Sequence, residues 1–147
     1  MDILMLSARA GGRVLSIHSR DARKLLLDLL EVEPMAGTPI LHWFTGTESE
    51  IQRAAEMGCW FSVGPAMLAS AKGRAVAAAM PKHRILPETD GPFGTDRGRA
   101  LLPWDAALVN PTLSDIWREE ERAVERQLLT NLRTLTDVAN KYLPLGS

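Results

Sequence analysis

Residues 13–46, RVLSIHSRDARKLLLDLLEVEPMAGTPILHWFTG, contain two apolar runs separated by a helical pattern. The runs cover 13–20 and 38–46, and each ends in polar residues or glycine. Between them, leucines recur at the spacing of one face of an amphipathic helix, at Leu25, Leu26, Leu29 and Leu30. A strand, a helix and a second strand in this order predict a βαβ unit, whose strands are parallel neighbours in one sheet.

The same alternation continues along the chain. A third apolar run, CWFSVGP at 59–65, precedes the helical pattern MLASAKGRAVAAAM, and a fourth run, RILPETDGP, covers 84–92. Strands that alternate with helices of this length predict the α/β class, with about four parallel βα units.

Composition restricts the class of protein. The chain has 147 residues, which fits one domain, and 46% hydrophobic with 24% charged residues excludes a disordered chain. A net charge of −1 excludes an overall basic surface, although a local basic cleft for nucleic acid stays open. The single cysteine, Cys59, cannot form an internal disulfide, and the N-terminus has no basic region before its short apolar run. These features predict a cytoplasmic protein without a membrane span.

Side chains that can bind a metal stand where three of these strands end. His18 and His42 close the first two runs, and Glu88 and Asp90 close the fourth. Functional groups of α/β proteins gather at the carboxyl ends of parallel strands, so we expect these side chains to lie together. Imidazole with carboxylate suits Zn, Mn or Fe, and carboxylate also suits Mg. The alternative stays open that the histidines are structural and that Asp90 bonds only its own turn.

Four stretches of the sequence resemble the TatD family of metal-dependent deoxyribonucleases: VLSIHSRDA, PILHWFTG, GCWFSVGPAMLASAKGR and MPKHRILPETDGPF. The family belongs to the amidohydrolase-like (β/α)₈ barrels, and the resemblance covers residues 1–95 with the blocks in family order. Trp43 and the stretch FSVGPAML are most similar to the branch found in anti-phage defence clusters.

The resemblance implies a role for each residue at the strand ends. His18, His42 and Asp90 match metal ligands of the family, and Asp90 also matches the base that deprotonates the attacking water. Glu88 matches a supporting residue. The implied cofactor is one or two divalent cations (Mg, Mn or Zn), and the implied reaction is hydrolysis of DNA phosphodiester bonds, at single strands or ends.

Two further residues near the strand ends are candidates for binding the substrate. Arg20 is expected to hold a phosphate oxygen, and Trp43 to stack on a base at an unpaired end. The alternatives are a surface salt bridge for Arg20 and a packed side chain for Trp43.

The sequence also departs from the family. The H-x-H pair of the first family strand and the Glu of the fourth do not occur, and the first strand here matches the fifth family strand. We therefore expect the C-terminal half of a TIM-type barrel over 1–95. The stretch MDILMLSARAGG is expected to end the preceding helix, with Met1 an internal start or a truncation point.

The remaining residues, 96–147, are predicted to form a loop and one long amphipathic helix in the same domain. Apolar residues at helical spacing place this helix from about 113 to 142, with Thr112 as its N-cap.

Three functions stay open. The first is a nuclease half that is active only with the missing N-terminal half, and the second is an inactive half-barrel that binds a second copy or a partner protein. The third is a metal-dependent esterase or amidase. A half-barrel would leave edges unpaired at 13–18 and 84–89. One sheet face, including Val14, Ile40, Leu41, Phe61 and Leu86, would lie open unless a partner or the C-terminal helix covers it.

Overall fold

A computed structural model describes residues 2–142; Met1 and the last five positions of the predicted 96–147 segment lie outside the described residues. Four parallel strands form one sheet in the order β1-β2-β3-β4: β1 Arg13–His18, β2 Gly37–His42, β3 Trp60–Val63 and β4 Ile85–Pro87. The predicted parallel sheet is confirmed. Each strand stops short of its predicted carboxyl end, because the polar tips form loops.

Helices follow the first three strands as the sequence predicts, and another precedes β1, as expected for MDILMLSARAGG. They are α1 Asp2–Arg9, α2 Arg23–Val32, α3 Glu48–Glu56, α4 Pro65–Leu68, α5 Ala71–Ala79, α6 Asn110–Trp117 and α7 Glu121–Asn140. Short 3₁₀ turns occupy Pro34–Ala36, Lys82–Arg84 and Pro103–Val109, and a small hairpin pairs β5 Thr95–Asp96 with β6 Arg99–Ala100. Within residues 2–142, none of these helices has the length and hydropathy needed to cross a membrane.

The two faces of the sheet bury different residues, because side chains alternate along each strand. Leu41, Phe61 and Ile85 belong to the main core, which the helices cover. The expectation that Leu41 and Phe61 share a face with Val14 is therefore wrong.

The other sheet face is covered in part by helix α7. Trp60 and Leu86 pack there against Leu135, with Val14 and Ile40 alongside. Of the two coverings expected from the sequence, the structure has the C-terminal helix folded back on the sheet.

The prediction of one helix from 113 to 142 is wrong. Arg118 adopts the left-handed conformation (φ 56°, ψ 45°) and separates α6 from α7. The hydroxyl of Ser114 donates to the carbonyl of Glu119, which holds the break together. Helix α6 begins at Asn110, so Thr112 lies inside it and is not an N-cap.

The two edges of the sheet differ in their free backbone groups. On β4, the Ile85 N–H donates to Lys82, the Ile85 carbonyl accepts from the Asn131 side chain, and Pro87 has no N–H. On β1, no backbone group of residues 14–18 bonds outside the ladder with β2 in the part of the chain that the structure describes. A groove of about 640 Å³ runs along β1, between the start of α1 and α2. The β1 edge is therefore open and the β4 edge is largely closed.

Candidate metal centre at the strand ends

Three of the predicted ligands come together at the carboxyl ends of the strands. His18 and His42 are register partners at the ends of β1 and β2, and their ring centroids lie 4.1 Å apart at an interplanar angle of 69°. Asp90 reaches the same place from the loop after β4. One ligand atom from each of the three residues lies within 4.8 Å of the other two. The structure thus presents two imidazoles and one carboxylate at one end of the sheet.

Glu88 determines which nitrogen of His42 faces this cluster. Its Oε2 atom lies 2.5 Å from Nδ1 of His42, a direct polar contact shorter than an ordinary N–H···O bond, and hydrogen bonding with His42 contributes to the environment of the Glu88 carboxyl. A carboxylate in this position accepts a hydrogen bond, which assigns the proton of neutral His42 to Nδ1 and leaves a lone pair on Nε2. Glu88 therefore orients His42, as a supporting residue does for a metal ligand.

The lone pair of His42 faces another acceptor. Its Nε2 atom is buried and makes no hydrogen bond to the described residues, and it lies 3.4 Å from Oδ1 of Asp90. When Nε2 carries no proton, two acceptors at this distance need a positive centre between them, because a buried polar atom without a partner is costly. A metal ion fits this donor set, and exposed His18 leaves the cluster open to solvent on one side.

The Glu88 carboxyl is partly buried beside other polar groups. Burial raises the pKa of the Glu88 carboxyl, and the negative charge of Asp90 adds to this effect. His42 and the neighbouring Ser62 hydroxyl oppose the shift without cancelling it. The Oε1 atom of Glu88 and the hydroxyl of Ser62 are also buried, without a hydrogen bond of acceptable geometry to the described residues. These atoms extend the set of polar groups that converge on the strand ends.

The loop after β4 fixes the direction of Asp90. Asp90 has φ 52°, and its carbonyl accepts a hydrogen bond of 2.6 Å from the N–H of Gly94. A Cβ atom at Gly91 would collide with the carbonyl oxygen of Leu101, and one at Gly94 with that of Thr89. Both positions therefore require glycine for a loop packed this closely.

The two predicted substrate-binding residues, Arg20 and Trp43, have different surroundings in the structure. Arg20 is exposed just beyond β1 and has no ion pair within residues 2–142, so the salt-bridge alternative finds no partner there. Trp43 is half-buried and packs against the main core, as its packing alternative predicts. A stacking role for Trp43 stays a prediction. No sequence pattern singles out Phe93, which is strongly exposed on the loop beside Asp90.

Comparison with known proteins identifies a matching family and several relatives of this chain. The family model described as TatD related DNase matches residues 3–137. The 3'-5' ssDNA/RNA exonuclease TatD of Klebsiella pneumoniae is 32% identical over 131 residues, which cover 81% of this chain and 49% of that protein. The uncharacterized metal-dependent hydrolase YjjV of Escherichia coli is 29% identical over 127 residues, covering 83% and 49%.

Solved structures support the fold. The crystal structure of YjjV matches with a TM-score of 0.71 and 28% identity, over 83% of this chain and 49% of that one. The TatD family hydrolase from Entamoeba histolytica matches with a TM-score of 0.75 over 87% and 52%, and at 18% identity it is similar in fold alone. The four parallel strands thus belong to a TIM-barrel-like α/β fold. The chain spans about half the length of the curated relatives it matches.

Proposed function

This chain belongs to the family of TatD related DNases, and from that premise we propose that it takes part in metal-dependent hydrolysis of DNA phosphodiester bonds. We infer that His18, His42 and Asp90 bind the divalent cation. The observation that carries the proposal is the pair of acceptors formed by Nε2 of His42 and Oδ1 of Asp90, 3.4 Å apart. Two imidazoles and a carboxylate suit Zn or Mn, and the carboxylate keeps Mg open.

A bound divalent cation supplies Lewis-acid polarisation of a phosphoryl oxygen and lowers the pKa of a coordinated water. The chain's own residues have separate tasks around that chemistry. Asp90 accepts the proton of the attacking water, since its loop holds the carboxylate at the strand ends. Glu88 keeps the Nε2 lone pair of His42 directed into the site. Exposed Arg20 is free to hold a phosphate oxygen.

We propose that this ligand set is completed by polypeptide that pairs with the open edge of β1. With three protein ligands, a divalent cation keeps water at its remaining coordination positions. Such a site predicts weak metal binding by the chain alone. His18 ends the open strand, so a parallel strand added beside β1 would end next to it. The groove along β1 gives the added strand apolar neighbours. The edge of β4 offers fewer free backbone groups. A partner there would contact the chain mainly through side chains.

An inactive half-barrel that only binds another protein is the second candidate function. The observation that favours it is the same open β1 edge, together with exposed Ile3 on the neighbouring helix α1. The two candidates differ in one respect: only the nuclease binds metal and hydrolyses substrate once another polypeptide pairs with the β1 edge.

The test is a cleavage assay with Mn²⁺ on a labelled single-stranded oligonucleotide and, in parallel, on a small carboxylic ester. The 147-residue chain is assayed alone and with the N-terminal half of a longer relative. We expect feeble cleavage by the chain alone and a clear gain on mixing, lost with EDTA or Asp90→Asn. Hydrolysis of the ester alone would favour an esterase, and binding of the added half without any hydrolysis would favour the second candidate.

Three finer predictions accompany the proposal. A cytoplasmic location rests on the single cysteine, Cys59, which has no second cysteine in this sequence to pair with. Membership of the branch found in anti-phage defence clusters rests on Trp43 and FSVGPAML. The organisation as a half-barrel over 1–95, with 96–147 in the same domain, rests on the extent of the family blocks.

A further inference from the structure

Phe93 is an exposed aromatic residue beside the proposed metal centre. Its exposed fraction is 86%, although it lies inside the turn that the Asp90–Gly94 hydrogen bond closes. A second bond, from the N–H of Leu101 to the carbonyl of Gly94, joins this turn to the following segment. The ring therefore lies in solvent on a loop that these two backbone hydrogen bonds hold in place.

Packing of the loop does not need the Phe93 ring. Leu101 is only 1% exposed, and it fills the space beneath the loop, where its atoms approach Gly91 and Gly94 closely. A large aromatic side chain normally buries a substantial apolar area. At position 93 that area is left free beside the site.

The distance from Asp90 suits a contact with substrate. Residues three apart along a chain have Cα atoms at most about 10 Å apart, and the closed turn shortens this span. A phosphodiester bound at the proposed metal centre beside Asp90 therefore has its neighbouring nucleotide within reach of the ring. Trp43 and Phe44, which directly follow His42, pack in the core instead.

We propose that Phe93 forms a nucleobase subsite, in which the ring stacks on an unpaired base next to the phosphate that the metal centre binds. The inference rests on the proposed function for the position of that phosphate. The contact needs a base with a free face, because a base inside a duplex has both faces stacked. Stacking needs only an aromatic face, so the subsite accepts every base without reading its identity.

The experiment measures binding of two fluorescein-labelled oligomers to the 147-residue chain by anisotropy, with Ca²⁺ present. One is a short oligothymidylate, and the other has the same length and phosphates but lacks bases. The variants are Phe93→Ala, Phe93→Trp and, as control, Met35→Ala. Met35 is also strongly exposed, but it precedes β2 at the opposite end of the sheet.

We expect Phe93→Ala to weaken binding of oligothymidylate by about fivefold or more, and to leave the abasic oligomer unchanged. Phe93→Trp should bind as tightly as the native chain or more tightly, and Met35→Ala should behave as the native chain.

Three results would overturn the inference. They are unchanged oligothymidylate binding by Phe93→Ala, an equal loss for the abasic oligomer, and no preference of the native chain for the oligomer with bases. If the first of these results came with a change in association state, Phe93 would be assigned to a protein contact. Failure of the proposed hydrolysis is recognised separately, since this measurement needs no cleavage.

Discussion

Nε2 of His42 and Oδ1 of Asp90 face each other at 3.4 Å, and no donor among the described residues bonds this nitrogen. The arrangement depends on Glu88, which holds the proton on the other nitrogen of the ring. A buried imidazole nitrogen that carries no proton is unfavourable this close to a carboxylate oxygen unless a cation lies between them. The geometry of two residues thus carries the metal-site proposal.

Replacing Asp90 tests the carboxylate as a ligand. Asp90→Asn keeps the size of the side chain but removes its charge, so we expect Zn²⁺ binding to weaken by at least about tenfold in calorimetric titrations. Asp96→Asn, in the neighbouring hairpin, is the matched control and should bind like the native chain. Equal Zn²⁺ affinity of the D90N variant and the native chain would remove Asp90 from the ligand set.

Replacing Glu88 tests the orientation of His42. Glu88→Gln keeps an oxygen that can accept from Nδ1 but lets the amide rotate and removes the charge. We expect metal affinity to fall about 10- to 100-fold, as for other residues that position a ligand. Glu125→Gln, on the exposed side of α7, is the control. A Glu88→Gln chain with native metal affinity and native stability would show that His42 is oriented by other contacts.

Asn131 connects helix α7 to the strand that leads to the site. Its buried amide donates to the carbonyls of Lys82 and Ile85, both at 2.7 Å. Asn131→Ala leaves two carbonyls without their partner, so we expect the free energy of unfolding to fall by about 2–3 kcal/mol in urea titrations. Gln127→Ala, which removes only the bond that Asn131 accepts, should cost about 1 kcal/mol or less. Equal losses for the two variants would contradict this role.

Cys59 makes stability depend on alkaline pH. Burial raises the pKa of its thiol to about 12, above the ordinary value of a cysteine. Between about pH 8.5 and 10 the thiol ionises in the unfolded chain but stays protonated in the folded chain, so stability falls as pH rises. We expect the native chain to lose about 1–2 kcal/mol more than Cys59→Ala between about pH 7.5 and 10 in urea unfolding. Parallel pH curves for the two chains would contradict the buried, protonated thiol.

The open edge of β1 predicts association through that side of the molecule. Ile3 is exposed at the groove along β1, so Ile3→Glu should shift sedimentation at micromolar concentrations toward monomer. Leu132→Glu places the same charge on an exposed site of α7 and should leave association unchanged. A native chain that remains monomeric and binds no hydrophobic dye would show that the edge is not a docking surface.

The sheet and its polar ends were predictable because local rules govern them. Alternating strand and helix patterns predict the parallel order, and parallel strands place His18 and His42 side by side at the same end. The contact between Glu88 and His42 was not predictable, since it depends on the register of β4 with β2 through β3. The exposure of Phe93 was also not predictable from the sequence. It depends on a tertiary contact, since Leu101 fills the space beneath the loop.

The C-terminal region shows why helical spacing alone is insufficient. Apolar residues keep helical spacing across Arg118, yet that residue turns left-handed and divides the predicted helix. Arginine gives no sequence signal for this conformation, which glycine or asparagine would have given. The contacts that hold the second helix, through Asn131 and Leu135, join segments distant in sequence. Such contacts are set by packing of the whole chain.

The most direct test of the metal centre is anomalous X-ray diffraction from crystals of the chain soaked in Zn²⁺. We predict an anomalous peak at the strand ends, with Nε2 of His42 and an Asp90 carboxylate oxygen each about 2.0–2.2 Å from it, and a nitrogen of His18 as the third ligand. Crystals that show no peak between His42 and Asp90, with Nε2 of His42 bonded instead to a protein donor, would contradict the metal centre.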